Sequence, residues 1–114
     1  MDVYAIMIVN KGGGTINSYE KIQQVFQVLA DGNRLKIVDT LSKECKSVND
    51  IAEKAGISQP LASHHLKTLR KAGIVRLEKS KANFKYYCIV DETIWELLEK
   101  CKALVKNFEE NKFE

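Results

Sequence analysis

Apolar residues recur three and four positions apart along most of this 114-residue chain, and only between residues 74 and 90 do they give way to β-branched and aromatic runs. The first helical pattern begins near Asn17, with Asn17 and Glu20 as a capping pair and Ile22, Val25, Phe26 and Leu29 as its apolar face. A second covers about residues 33–41, capped by Asp31 and packed through Leu35, Ile37, Val38 and Leu41. Ser47 then opens a short helix with Asp50 in its first turn, and Gly56 supplies the positive φ that a tight turn demands. Ser58 caps the next helix. Pro60 fits its first turn because the missing N–H has no intrahelical partner there, and Leu61, Leu66 and Leu69 mark its buried stripe. Two capped helices joined by a glycine turn spell a helix-turn-helix.

Residues 74–77 and 84–90 read as the strands of a hairpin, with the polar, basic tip 79–83 between them. The last helix covers about residues 92–110. Its apolar positions Ile94, Trp95, Leu97, Leu98, Cys101, Leu104, Val105 and Phe108 form a stripe wider than a small core can cover. The terminal helices are therefore read as a dimer seam, built from Ile22, Phe26, Ile94, Leu98, Cys101 and Val105. The expected fold is mainly α with a small β-hairpin, a winged helix-turn-helix that dimerises through its terminal helices. Residues 1–16 are read as a strand-like, glycine-rich extension and residues 17–114 as the DNA-binding and dimerisation domain. The apolar run 3–9 falls well short of the roughly 20 residues that span a bilayer, and it lacks a basic flank and a cleavage-like site, so a cytoplasmic protein with no membrane partner is expected.

Opposite the apolar stripe, the second helix of the pair carries Gln59, Ala62, Ser63, His64, Lys67, Arg70 and Lys71. Short groups near its N-terminal end suit base edges, and the cations further along suit phosphates. Residues 58–88 hold seven Lys or Arg against one acid, whereas the whole chain carries only +3, so positive charge is concentrated where a reading helix would need it. The DNA-binding set read from this pattern is Ser58, Gln59, Ala62, Ser63, His64, Lys67 and Arg70, with Lys79 and Lys81 on the wing. A composition 45% hydrophobic and 29% charged suits a single core. No paired carboxylates, nucleophile with base, or phosphate loop stands at a usable spacing, and the glycines at 12–14 lack the Lys-Ser/Thr ending, which argues against an enzyme. The competing use of the same fold is a protein-interaction module without specific DNA binding.

The order of elements, together with Val28-Leu-Ala-Asp-Gly-Asn-Arg-Leu35, Asp50-Ile-Ala52, Ser58-Gln59, Ser63-His64-His65-Leu66-Lys67, Leu69-Arg70-Lys71-Ala72-Gly73-Ile74-Val75 and Tyr86-Tyr87, resembles the ArsR/SmtB family of winged-helix repressors over about residues 20–105. The resemblance implies a homodimeric repressor that binds an inverted-repeat operator in double-stranded DNA and releases it when an inducer binds. It implies Ser58, Gln59, Ser63, His64 and Lys67 at the groove, the 79–83 tip as the wing, and His65 turned to the buried side. The family's two metal boxes are missing: one position reads Ser47-Val48-Asn49, without thiolates, and Asp91-Glu92-Thr93 is followed by no histidine. Neither a metal nor another cofactor is therefore expected. Three cysteines without paired spacing argue against a disulfide framework. Cys45 and Cys101 lie in regions that approach each other in this fold and form a candidate thiol switch for oxidants, reactive sulfur or a soft metal, with Lys43 and Lys46 favouring the Cys45 thiolate. The plainer reading keeps Cys101 as a small hydrophobe.

Overall fold

The computed structural model describes residues 18–111; Asn17 and the extension over residues 1–16 lie outside the described residues. The described chain runs α1 (Ser18–Leu29), α2 (Gly32–Thr40), α3 (Val48–Ala55), α4 (Gln59–Lys71), β1 (Val75–Lys79), β2 (Lys85–Ile89) and α5 (Thr93–Asn111). Short polar side chains set where the helices begin. Asp31 accepts from the Asn33 and Arg34 N–H groups at 2.9 and 3.1 Å, Ser47 from Asp50 at 3.2 Å and Ser58 from Leu61 at 3.2 Å. Each satisfies donors that a first helical turn leaves unpaired. Gly56 ends α3 at φ 69° and Gly73 turns the chain out of α4 at φ 79°, a left-handed backbone that costs glycine little.

The core draws side chains from several elements. Val28 of α1, Ile37 and Val38 of α2, Ile51 of α3, Leu66 and Leu69 of α4 and Val75 of β1 are all essentially without solvent contact. Truncating such a leucine to alanine costs about 2–5 kcal/mol, against about 1 kcal/mol for a cap. Packing, rather than capping, holds the two helices of the helix-turn-helix at their angle.

The two strands pair antiparallel, from Val75 opposite Ile89 to Lys79 opposite Lys85. A bridge outside the hairpin fastens the sheet to the segment ahead of α3: the Lys46 N–H donates to the Tyr87 carbonyl at 3.0 Å and the Tyr87 N–H to the Lys46 carbonyl at 2.8 Å. Beside that bridge the Cα atoms of Cys45 and Cys88 are 4.3 Å apart and their sulfurs are bonded. Closely approaching side chains are what the non-hydrogen-bonded neighbours of such a bridge present. The cysteine pairing expected from the sequence is thus corrected: Cys45 joins Cys88, and Cys101 is a free, exposed thiol on α5. Lys46 is likewise engaged elsewhere, its ammonium 2.8 Å from Glu44.

No residue of α5 is buried. Ile94, Trp95, Leu97 and Leu98 are half-covered, whereas Cys101, Leu104, Val105 and Phe108 are exposed. Lys102 ties the helix to α2 through Asp39 at 2.9 Å.

One polar cluster sits at the core's edge. His65 of α4 is 6% exposed, with Arg34 Nη1 3.4 Å from its Nδ1 and Asp31 Oδ1 3.9 Å from its Nε2, while Arg34 Nε donates to the Val28 carbonyl. Burial holds the His65 pKa below its ordinary 6.5; Asp31 opposes this, and Arg34 and His64 add to it. Between the folded value and 6.5 the unfolded chain binds more protons than the folded one, so this site's stabilisation is complete above pH 6.5 and is lost as pH falls through the folded value. Urea midpoints should drop between about pH 7.5 and 5.5 by more in the natural chain than in His65→Gln, a window that brackets His65's unfolded value and lies above the carboxylates'. Parallel midpoint curves would show that the imidazole titrates alike folded and unfolded.

Candidate nucleic-acid interface

The helical period sorts α4 into two faces. Ala62, His65, Leu66 and Leu69 point inward at i, i+3, i+4 and i+7; Ser58 at the cap and Gln59, Ser63, His64, Lys67, Arg70 and Lys71 are exposed. Two expectations need correcting here. Ala62, expected among the DNA contacts, is 0% exposed and cannot touch a groove. Leu61, expected in the buried stripe, is 37% exposed. Both follow from one fact: the inward arc begins at position 62, and a shift of one residue turns a helix by about 100°.

The wing is a tight hairpin tip. Within residues 80–84, the Ser80 N–H donates to the Phe84 carbonyl at 2.8 Å, the Asn83 N–H to the Ser80 carbonyl at 3.0 Å and the Phe84 N–H to Ser80 Oγ at 3.2 Å. Asn83 takes the left-handed φ of 64°, which asparagine tolerates better than most side chains. Lys79, Lys81 and Lys85 are exposed around this tip. Arg76 is not part of the cationic rim, because its guanidinium is held by Glu78 at 3.2 Å and by the Ile89 carbonyl at 2.9 Å. Phe84, read from the sequence as a strand residue, lies just outside β2 and is 64% exposed. Its signal was available: an aromatic residue beside a basic, polar tip has no core to enter.

A helix with amide, hydroxyl and imidazole groups on its outer N-terminal half can hydrogen-bond base edges in a major groove about 12 Å wide. Lys67, Arg70, Lys71 and the wing lysines are exposed cations, the side-chain type that contacts phosphates. His65 supports that face from behind through Arg34 and Asp31 rather than joining it.

The residues expected at the dimer seam divide in two. Ile22, Phe26 and Val105 are about half exposed, at 49%, 50% and 54%. Ile94 and Leu98 lean on the core, and with Phe26 and Cys101 they line an apolar cleft of about 280 Å³ between α1, α2 and α5. Among the described residues no helix is long and apolar enough to cross a membrane.

Comparison with known proteins agrees with this geometry. A family model for bacterial regulatory proteins of the arsR family matches residues 31–76, from the cap of α2 into β1. An HTH-type transcriptional regulator of Methanocaldococcus jannaschii is 33% identical over 88 residues, covering 73% of this chain and 93% of that protein. The transcriptional repressor SdpR of Bacillus subtilis is 37% identical over 68 residues, 60% of this chain and 74% of its own. The homodimeric winged helix-turn-helix DNA-binding domain Mb0332 of Mycobacterium bovis, a possible ArsR-family regulator, matches with a TM-score of 0.71 at 27% identity, over 82% of this chain and 85% of its own. The match to the arsR family model, together with these relatives and the shared winged helix-turn-helix fold, places this chain in the ArsR family of winged helix-turn-helix transcriptional regulators, which bind DNA and are not enzymes.

Proposed function

We propose that the chain is a homodimeric repressor that binds an inverted-repeat operator with one α4 in each of two successive major grooves, and that an inducer releases it. The observation that carries this reading is the division of α4 into a core face and an outer face of Ser58, Gln59, Ser63, His64, Lys67 and Arg70, with Lys79 and Lys81 on the wing beside it. The half-exposed Ile22, Phe26 and Val105 and the apolar cleft beside them support a seam between α1 and α5 of two protomers. Two-fold pairing of reading helices matches a palindromic site with half-sites about one helical turn, roughly 34 Å, apart. The repressor SdpR and the homodimeric Mb0332 domain are similar proteins whose descriptions fit the same reading. A regulator of this kind works where the chromosome is, in the cytoplasm.

Binding to the DNA upstream of the protein's own gene, with random duplex as competitor at physiological salt, tests the reading directly. Absence of selectivity there moves the fold to protein interaction. Lys79→Ala or Lys81→Ala should weaken operator and random DNA about equally and flatten the salt slope by about one unit each. A change of sequence preference in Lys79→Ala would overturn the wing assignment. Gln59→Ala or His64→Ala should instead cost about 1–3 kcal/mol on the preferred sequence and little on random duplex. For the seam, Phe26→Asp combined with Val105→Asp should give a monomer by sedimentation, and an intact dimer would put the interface elsewhere.

A further inference from the structure

The bonded sulfurs of Cys45 and Cys88 take no part in the DNA-reading face, yet they join two parts that must present themselves to DNA together. Cys45 precedes α3, the first helix of the helix-turn-helix, and Cys88 lies in β2 of the wing. The Lys46–Tyr87 bridge next to them holds the two backbones in register through two hydrogen bonds of its own, which do not involve the sulfurs. Cys45 is exposed and Cys88 is 3% exposed. The bond faces a shallow polar groove of about 120 Å³ that Lys43 and Arg76 also line. Glu78 Oε2 lies 3.6 Å from the Cys88 sulfur, where it can accept the proton of a reduced thiol. A DNA-binding regulator works in a compartment where thiols are kept reduced, and a disulfide open to solvent there is usually a transient one.

We propose that Cys45 and Cys88 are a reversible dithiol–disulfide site for a two-electron oxidant, hydrogen peroxide, and that it sets how firmly the wing is fastened to the helix-turn-helix. The exposed Cys45 thiolate attacks the peroxide O–O bond and takes one oxygen as a sulfenic acid while the other leaves as water. Cys88 then attacks the Cys45 sulfur and expels the second water, so two thiols and one peroxide give one disulfide and two waters. A dithiol reductant returns two electrons and two protons and reopens the bond. Fastening restricts the wing before DNA arrives, so the oxidised form meets less of the ordering cost on binding. The effect on DNA rests on the repressor reading above; the site itself does not.

The test uses the full chain, reduced or treated with stoichiometric hydrogen peroxide, with chelator present. The expected result has three parts. Oxidation removes two hydrogen masses and both thiol titres of Cys45 and Cys88, slows amide exchange across residues 75–89, and tightens operator binding about three- to tenfold. Cys45→Ser and Cys88→Ser should each stay at the reduced values under both treatments, whereas Cys101→Ser should still lose the Cys45 and Cys88 thiol titres and slow wing exchange on oxidation. Equal wing exchange in the two states, or weaker operator binding on oxidation, overturns the proposal. So does a reduced protein that resists peroxide but loses both thiol titres to one equivalent of Zn²⁺ without chelator, which would assign Cys45, Cys88 and Glu78, whose donor atoms lie within 4.8 Å of one another, to a metal. Slower wing exchange with no operator preference in either state keeps the thiol site and rejects the repressor reading. Selective operator binding that is equal in both states keeps the repressor reading and overturns the proposed effect of the disulfide on DNA binding.

Discussion

The packing of α4 on α2 and α3 is the constraint on which the rest depends, because one thirteen-residue helix must be core on one side and reader on the other. Leu66 and Leu69 are fully buried, and Ala62, one turn earlier on the same stripe, is as deeply buried with only a methyl group. Had a bulky side chain stood at position 62, the N-terminal half of α4 would be pushed away from the core that aims it. The small residue is thus what lets Ser58, Gln59, Ser63 and His64 project outward from a rigid support. His65 continues the inward arc as a polar member, and Asp31 and Arg34 supply the partners that a buried imidazole requires. The caps refine this arrangement without holding it.

Charge follows the same division of labour. Cations that meet the outside are left exposed on α4 and at the wing tip, whereas those with structural duties are paired: Arg76 with Glu78 along β1, Lys46 with Glu44, and Lys102 with Asp39 across α2 and α5. The exposed pairs, Arg76 with Glu78 and Lys102 with Asp39, contribute little to stability, and their larger effect here is to take cations out of the field that faces solvent. What remains densest is the run of exposed cations on α4 and the wing, on a chain whose net charge is only +3.

How much of this could be read from the residues depends on the range of the interaction involved. Ser47, Ser58, Asp31 and Gly56 act within one turn of themselves, so helix starts and the sharp turn were legible. The hairpin was legible from its change of period, although Phe84 fell outside the strand it was assigned to. The inward phase of α4 was missed by one position because Leu61 and Ala62 are both apolar and only the surrounding core decides which of them enters. The Cys45–Cys88 contact was illegible for a stronger reason: it depends on a two-residue bridge between Lys46 and Tyr87, far apart in sequence, and Cys45 belongs to no strand whose alternation could have signalled a partner. The wide stripe of α5, by contrast, announced correctly that this helix lacks cover within one protomer.

That lack of cover has a thermodynamic consequence. The half of α5 from Cys101 onward, exposed along its whole length, draws little of its persistence from the protomer that carries it. In a dimer, each second copy then acts on the first as a ligand acts on a receptor, binding the folded form and not the unfolded one. The folding equilibrium of such a regulator is tied by mass action to its own abundance, so that a cell holding few copies holds looser ones, more open to proteases, and a cell holding many holds them firm.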